Sequence, residues 1–476
     1  MKKSLRNPGG SPSTLASVLG APSHMRRIAP LLVVLTACPP AAVQKTGGLP
    51  EIQPVPGSPA KDLACSLADQ VGARLAGSPA DAKAVAWAVE KMKELGLSNV
   101  RTEPVKVVRW ERGEASAEML VPFRRKLLVA ALGSSESTPA GGLEAEVVRV
   151  SSLDELKAMP DERVKGRIVF FDKVMERTIS GEGYGKTVDV RSRGAQEAEK
   201  KGAVASLIRS VGTSDARFPH TGNMRKAGIP AAALAIPDAE VLRRAVQSNQ
   251  GPVRLRFSTT SHFAGEAESA NVIGEVPGTA KPDELVVLGA HLDSWDLGDG
   301  ALDDAAGVGV VLELASKAVE RPLPRTVRVV LFANEENGLK GAAAYAEKHA
   351  AEAPKTVMAM EVDSGAGRAL GVVYSGGPQA DAALKPLAEP LAKQSLTLAA
   401  DPEAGGADSG ELDGVPLFHI LQDNSRYFDV HHTADDTCDK IVEEELAHVV
   451  GVAWLVTQHV AQPGVDLGRR PPPKKP

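Results

Sequence analysis

Cysteine is scarce in this sequence: 476 residues carry three, Cys38, Cys65 and Cys438. That is too few for a disulfide scaffold, and no CxxC pair occurs to suggest a redox or thiolate-zinc motif. Aromatic residues make up only 4%, which leaves no row of stacking platforms for nucleic-acid bases. An excess of either charge is also lacking. Lys and Arg total 55 against 60 Asp and Glu, a formal net charge of −5, and no long basic block occurs within the globular part, so nucleic acid is not a partner. The apolar run Ile28 to Ala37 is too short to span a bilayer. What is plentiful is Ala, Gly and apolar residues, with 43% hydrophobic. A chain of this length buries a large core and divides into more than one domain.

Met25-Arg26-Arg27, the apolar run and then Cys38 follow the layout of a secretory signal. Leu35-Thr36-Ala37-Cys38 resembles a bacterial lipobox, in which Cys38 is the lipidation site and the new amino terminus. On this reading residues 1–38 are an upstream segment and a lipoprotein-type signal peptide, the first 24 preceding the effective start. Residues 39–59, rich in Pro and Gly, form a tether. The protein is then exported to the bacterial cell envelope, facing the periplasm or the cell surface, and meets the membrane only through a lipid anchor. Plain secretion is the alternative. Cys65 and Cys438 would remain as thiols, free or paired.

Ser78-Pro79-Ala80-Asp81 predicts a helix start, and Val85, Ala88, Val89, Met92 and Leu95 continue at helical spacing up to Gly96. Asn99 to Trp110 alternates as a strand. From residue 121 to 260 the character changes to short β-like runs interleaved with turns and short helical patterns, read as a β-rich insert without a cluster of metal-type ligands. Its sole histidine, His220, reads as a surface or interface loop residue. After Asn271 strands are predicted at Leu285–Ala290, Val327–Ala333 and Val357–Val362, all nearly continuous apolar runs suited to burial on both faces. Helical patterns at Ala305–Val319 and Gly338–Ala350 fall between them. The fold class is α/β, a mostly parallel mixed sheet with helices on both faces. It occupies residues 60–120 and 261–465, with a basic, Pro-rich disordered tail at 466–476.

Each of the three strands ends in chemistry. The first delivers His291 and Asp293 into a Gly/Asp loop that closes on Asp303-Asp304. The second ends in Asn334-Glu335-Glu336 and the third in Glu361-Val362-Asp363. Later, outside any clear strand, comes Tyr427-Phe428-Asp429-Val430-His431-His432-Thr433-Ala434-Asp435-Asp436-Thr437. Taken singly these are weak signals: an HxD is most often structural, and an EE pair or a DD pair is most often a helix start. Together, so many carboxylates at the ligand-binding end of one sheet call for cations. Imidazole and carboxylate donors suit zinc, and two ions bridged by one carboxylate form a hydrolytic clamp. Adjacent side chains at a strand end point apart, so one glutamate can ligate while the other faces the attacking water.

These stretches, GAHLDSWD, GALDDAAG, NEE, MEVDSGAG and HHTADDT, together with GARLAGSPA, WERGEASAEM, GAVASLIRSV and PHTG, resemble the zinc exopeptidases that include bacterial leucyl aminopeptidases and glutamate carboxypeptidases. The likeness is greatest to the carboxypeptidase Q branch and extends from about residue 60 to 460. The resemblance implies two Zn2+ per chain. His291 and Asp363 would hold one, Glu336 and His432 the other, and Asp303 would bridge them. Glu335 would be the general base and Asp293 would accept a hydrogen bond from His291. The ligand histidine of the family directly precedes the Thr of its HT motif, which selects His432 and leaves His431 as a substrate contact beside Tyr427 and Asp408. Residues 121–260 would be a protease-associated-like domain, and a homodimer is implied as possible. Asn334, where relatives often have Ala, and the missing Gly-Gly after the Asp pair remove no ligand.

The implied function is hydrolysis of dipeptides or short peptides by metal-activated water with a glutamate base. A single-zinc glutaminyl cyclase on the same fold and a metal-free, receptor-like binding member are the alternatives. Which end of a peptide is trimmed depends on the walls of the cleft, which the motifs leave open.

Overall fold

A computed structural model describes Ile52 and residues 57–471 apart from Asn249. The signal segment with Cys38, and the tether up to residue 56 save Ile52, lie outside the described residues. No helix among the described residues is long and apolar enough to cross a membrane.

The strand Lys281–His291 is the centre around which one eight-stranded sheet is built. In order across that sheet run Ser98–Glu111, His262–Val276, Arg325–Phe332, Lys281–His291, Thr356–Glu361, Leu417–Gln422, Ala369–Ser375 and Thr397–Ala400. Lys281–His291 pairs in parallel with Arg325–Phe332 on one side and Thr356–Glu361 on the other. The edge formed by Ser98–Glu111 and His262–Val276 is antiparallel. Period-two alternation divides the apolar residues of the central strands between two cores. Val286, Leu288, Ala290, Val327, Val329 and Leu331 face one, shared with the helix Ala306–Glu320. Leu285, Val287, Val330 and Phe332 face the other, with Ala342 and Tyr345 of the helix Lys340–Lys348. Both faces are dry, which is why these strands read as unbroken apolar runs.

The helix Pro79–Glu94 begins as its sequence predicts: the Ser78 hydroxyl accepts the Asp81 amide at 3.1 Å. Gly96 follows at φ +82°, a left-handed position that glycine adopts without a Cβ penalty. The helix Ala60–Val71 docks on Ala306–Glu320 through a buried carboxylate. Glu313 accepts hydrogen bonds from the Ser58 hydroxyl at 2.5 Å and the Ala60 amide at 3.1 Å, at the positive end of that helix.

Residues 115–259 build a second eight-stranded sheet, starting before the boundary expected at residue 121. Its strand Ile168–Phe171 again divides its side chains. Ile168 and Phe170 pack with Leu242 of the helix Ile236–Gln247, whereas Val169 and Phe171 pack with Val190 and Ala195 of Asp189–Lys200. The short helical patterns of the segment are thus the helices that cover this sheet on both faces. Both sheets belong to one compact unit.

Cys65 and Cys438 are joined as a disulfide across 373 residues, with Cα atoms 5.5 Å apart. Residues 466–471, expected within a disordered tail, instead lie against the body. The Leu467 carbonyl accepts the Gly377 amide at 2.7 Å, and the Arg469 guanidinium donates to the Thr356 carbonyl at 2.9 Å. Pro471 follows this contact, and residues 472–476 lie outside the described residues.

Candidate metal centre

His291 is the last residue of the central strand, and the loop behind it is held by an arginine. Arg74 is fully buried and donates to three main-chain carbonyls of this loop, Leu292 at 2.6 Å, Asp299 at 2.6 Å and Gly300 at 2.9 Å, and to that of Gly72 at 3.4 Å. Ala301–Ala305 then form a widened helical turn with a cis Asp303–Asp304 peptide before Ala306–Glu320 begins. The carboxylate of Asp436 accepts the amides of Leu302 at 2.7 Å and Asp303 at 3.2 Å. Asp304 turns inward and accepts the His291 amide at 3.1 Å and the Gly307 amide at 3.0 Å. The bridging candidate is thus fixed from both flanks before any cation is considered.

Asp303 stands between the two histidines that the sequence singled out. His291 Nε2 lies 3.1 Å from its Oδ1 and His432 Nε2 lies 3.1 Å from its Oδ2. His291 Nε2 is also 3.8 Å from Asp363 Oδ1, and His432 Nε2 is 3.2 Å from Glu336 Oε2. His431 stacks on His432 with ring centroids 3.6 Å apart, and its Nε2 reaches Asp303 at 3.5 Å. Among the described residues, donor atoms within 4.8 Å of one another come from Asp303, His431 and His432, from His291, Asp304 and Asp363, and from His291, Asp303 and Glu336. Each of these sets belongs to this one cleft.

Among the described residues, none of the carboxylates Asp303, Glu336 and Asp363 pairs with a lysine or arginine, and the nearby Arg74 spends its donors on main-chain carbonyls. Burial alone would lower His291, but Asp363 and the hydrogen bond to Asp303 outweigh it and raise its pKa well above the usual range. His432 is raised in the same way by Glu336 and Asp303. Burial pushes Asp293 and Asp363 up to about 7, and takes Glu335 and Asp408 well above the ordinary carboxylate range. His431, against His432 and deprived of water, is held neutral with its pKa well below normal.

All five proposed ligands meet at one place, and Glu335 lies half-buried beside them. One detail differs from expectation. His291 Nδ1 donates to the main-chain carbonyl of Asp293 at 3.0 Å, not to its carboxylate, which stays 3.9 Å away. That carboxylate instead accepts the Glu335 amide at 3.0 Å, and so ties the first strand end to the second. Tyr427 is buried with its ring 5.0 Å from His431. Asp408 is fully buried with neither carboxylate oxygen partnered. The supporting residues Arg74, Asp304, Glu361 and Asp436 were missed. Glu361 accepts the amides of Asp408 and Ser409, the latter at 2.6 Å. The second Asp of Asp303-Asp304 and the Asp-Asp pair after HHTA were the available signals for two of them. His220, expected as a surface or interface loop residue, is buried at the interface between the two sheets' segments. Its Nδ1 donates to the His431 carbonyl at 3.0 Å.

The family pattern for Peptidase family M28 matches residues 271–457, the part of the chain that carries all five ligand candidates. Mouse carboxypeptidase Q is 36% identical over 402 residues, spanning 83% of this chain and 83% of that protein. The chain belongs to peptidase family M28. As a member of that family it is a metallo-exopeptidase, a hydrolase of peptide bonds. The crystal structure of a peptidase M28 precursor from Shewanella amazonensis superposes with a TM-score of 0.85 at 42% identity, covering 89% of this chain and 97% of that one. A zinc aminopeptidase from Bacillus subtilis shares the fold at a TM-score of 0.61 and 21% identity, over 86% of this chain and 97% of its own.

Proposed function

We propose that this M28 peptidase is a dinuclear zinc enzyme that removes residues from dipeptides or short peptides. The observation that carries the reading is Asp303, whose two oxygens each lie 3.1 Å from a different histidine Nε2. The donors fit the metal. Asp303 Oδ2 and Glu336 Oε1 are buried with no hydrogen-bond donor of their own. Imidazole and carboxylate without thiolate is the donor set of hydrolytic zinc. His291 and Asp363 would hold one ion, His432 and Glu336 the other, with Asp303 between them. Bound there, the ions would polarise the scissile carbonyl and acidify the attacking water.

The chain supplies the proton handling and the positioning. Glu335, held through its amide by Asp293, takes the proton of the attacking water on its carboxylate and returns it to the leaving amine. The His431–Tyr427 wall confines the substrate. We place the protein outside the cytoplasm. The Cys65–Cys438 disulfide supports export, since such bonds persist in oxidising compartments. The test is metal content per chain together with dipeptide hydrolysis by Glu335→Ala. Two bound zinc ions and loss of turnover with the metals retained is the expected result. A single ion with cyclisation of amino-terminal Gln, or a fully active Glu335→Ala, would overturn it.

A further inference from the structure

The residues behind His432 come from the other sheet. Its Nδ1, on the ring edge opposite Asp303 and Glu336, lies 3.3 Å from the main-chain carbonyl of Thr221. Arg191 donates to that same carbonyl at 3.1 Å and comes within 3.4 Å of the ring nitrogen. A carbonyl has two lone pairs, so both donors are served by one oxygen. Holding a metal at Nε2 requires the tautomer in which Nδ1–H is given to Thr221, and the carbonyl is placed to accept it.

Arg191 is itself unusual. It is buried, it has no acidic partner among the described residues, and its Nε is without an acceptor. Its guanidinium carbon stands 5.3 Å over the Tyr184 ring. Burying a guanidinium without a counter-charge is unfavourable, so an arginine kept for fold stability alone is poorly explained here. Gly222 lets the two groups meet. It sits at φ +117°, and a Cβ there would collide with both the Arg191 guanidinium and His432 Nδ1. The surrounding backbone is fastened in register. The Thr221 amide donates to the His432 carbonyl at 3.1 Å, His220 to the His431 carbonyl at 3.0 Å, and the Thr213 amide to the Phe428 carbonyl at 2.9 Å.

We propose that Arg191, acting through the Thr221 carbonyl and the clearance left by Gly222, is a positioning residue for His432, so that residues 115–259 complete one of the two metal sites. This rests on the dinuclear reading above. The test compares wild type, Arg191→Met, Arg191→Lys and Gly222→Ala in the full chain. Readouts are zinc affinity by chelator competition, the visible spectrum of the cobalt-substituted protein and the thermal midpoint of the metal-free protein. The expected result is a 10- to 100-fold weaker affinity for one ion and an altered cobalt spectrum in Arg191→Met, with Arg191→Lys partly restoring both. Gly222→Ala should reproduce the defect, and it carries the test if Arg191→Met does not fold. A lowered midpoint with wild-type affinity and spectrum would make Arg191 merely structural and overturn the proposal. Failure of the wild-type chain to bind two ions would instead remove the dinuclear reading itself, which the same titration distinguishes.

Discussion

His220 offers a stability test that does not depend on catalysis. Its imidazole is almost wholly enclosed, and burial lowers its pKa from an ordinary 6.5 to about 4, the hydrogen bond to the His431 carbonyl only partly opposing this. A histidine depressed on folding stabilises the native state fully above its unfolded pKa, and that contribution is lost as pH falls toward the folded value. A gap of about 2.5 units corresponds to roughly 3.4 kcal/mol in all. About 2 kcal/mol of it is already gone near pH 5, where an unfolded histidine is protonated and this one is not. The assay is urea unfolding at about pH 7.5 and pH 5, on wild type and His220→Asn, whose amide can donate to the same carbonyl but does not titrate. Acid weakens both proteins through their other groups, so the informative quantity is the difference between the two declines. Wild type should lose about 2 kcal/mol more than the variant over that interval. Equal declines would refute the claim that this ring is buried neutral.

Three further outcomes follow from other parts of the structure. Breaking the disulfide, as Cys65→Ser with Cys438→Ser, should lower stability by up to roughly 5–6 kcal/mol on the chain-entropy estimate for so long a loop, seen as a drop in denaturant midpoint. Glu335→Gln should reduce kcat by about 10²- to 10⁴-fold while metal content stays that of wild type, measured by peptide turnover and elemental analysis. Arg74→Met should strip three carbonyls of their only charged donor. A loss of at least about 3 kcal/mol in urea unfolding is expected, and wild-type stability would show that the 292–300 loop does not need it.

Of the candidate ligands, His291, Glu336 and Asp363 were legible because each sits at or just past the end of an apolar run, whereas Asp303 and His432 lie outside any strand and stood out only as an acidic pair and a pair of histidines. An apolar run with no polar interruption must be a strand buried on both faces, so the His, Glu or Asp ending it is exposed to a cleft rather than to packing. The strands Ala369–Ser375 and Leu417–Gln422, which extend the same sheet, went unread because no chemistry marks their ends. Arg74 and Asp436 were invisible for a different reason. Arg74 bonds carbonyls more than 200 positions away and Asp436 bonds amides more than 130 positions away, and only the folded path brings them there. The choice left open at His220 has the same origin. A histidine in a Pro/Gly-flanked loop reads equally as surface or interface until the 428–432 segment is seen to close over it.

Cys65 leaves the ribosome early and Cys438 late, and every candidate ligand from His291 to His432 is encoded between them. The covalent ring can therefore shut only after every candidate ligand has been made. A product truncated before Cys438 would leave Cys65 without its partner. Oxidation of that one pair thus records, in a form a gel shift can read, that synthesis has passed the point where the metal cleft has all its parts.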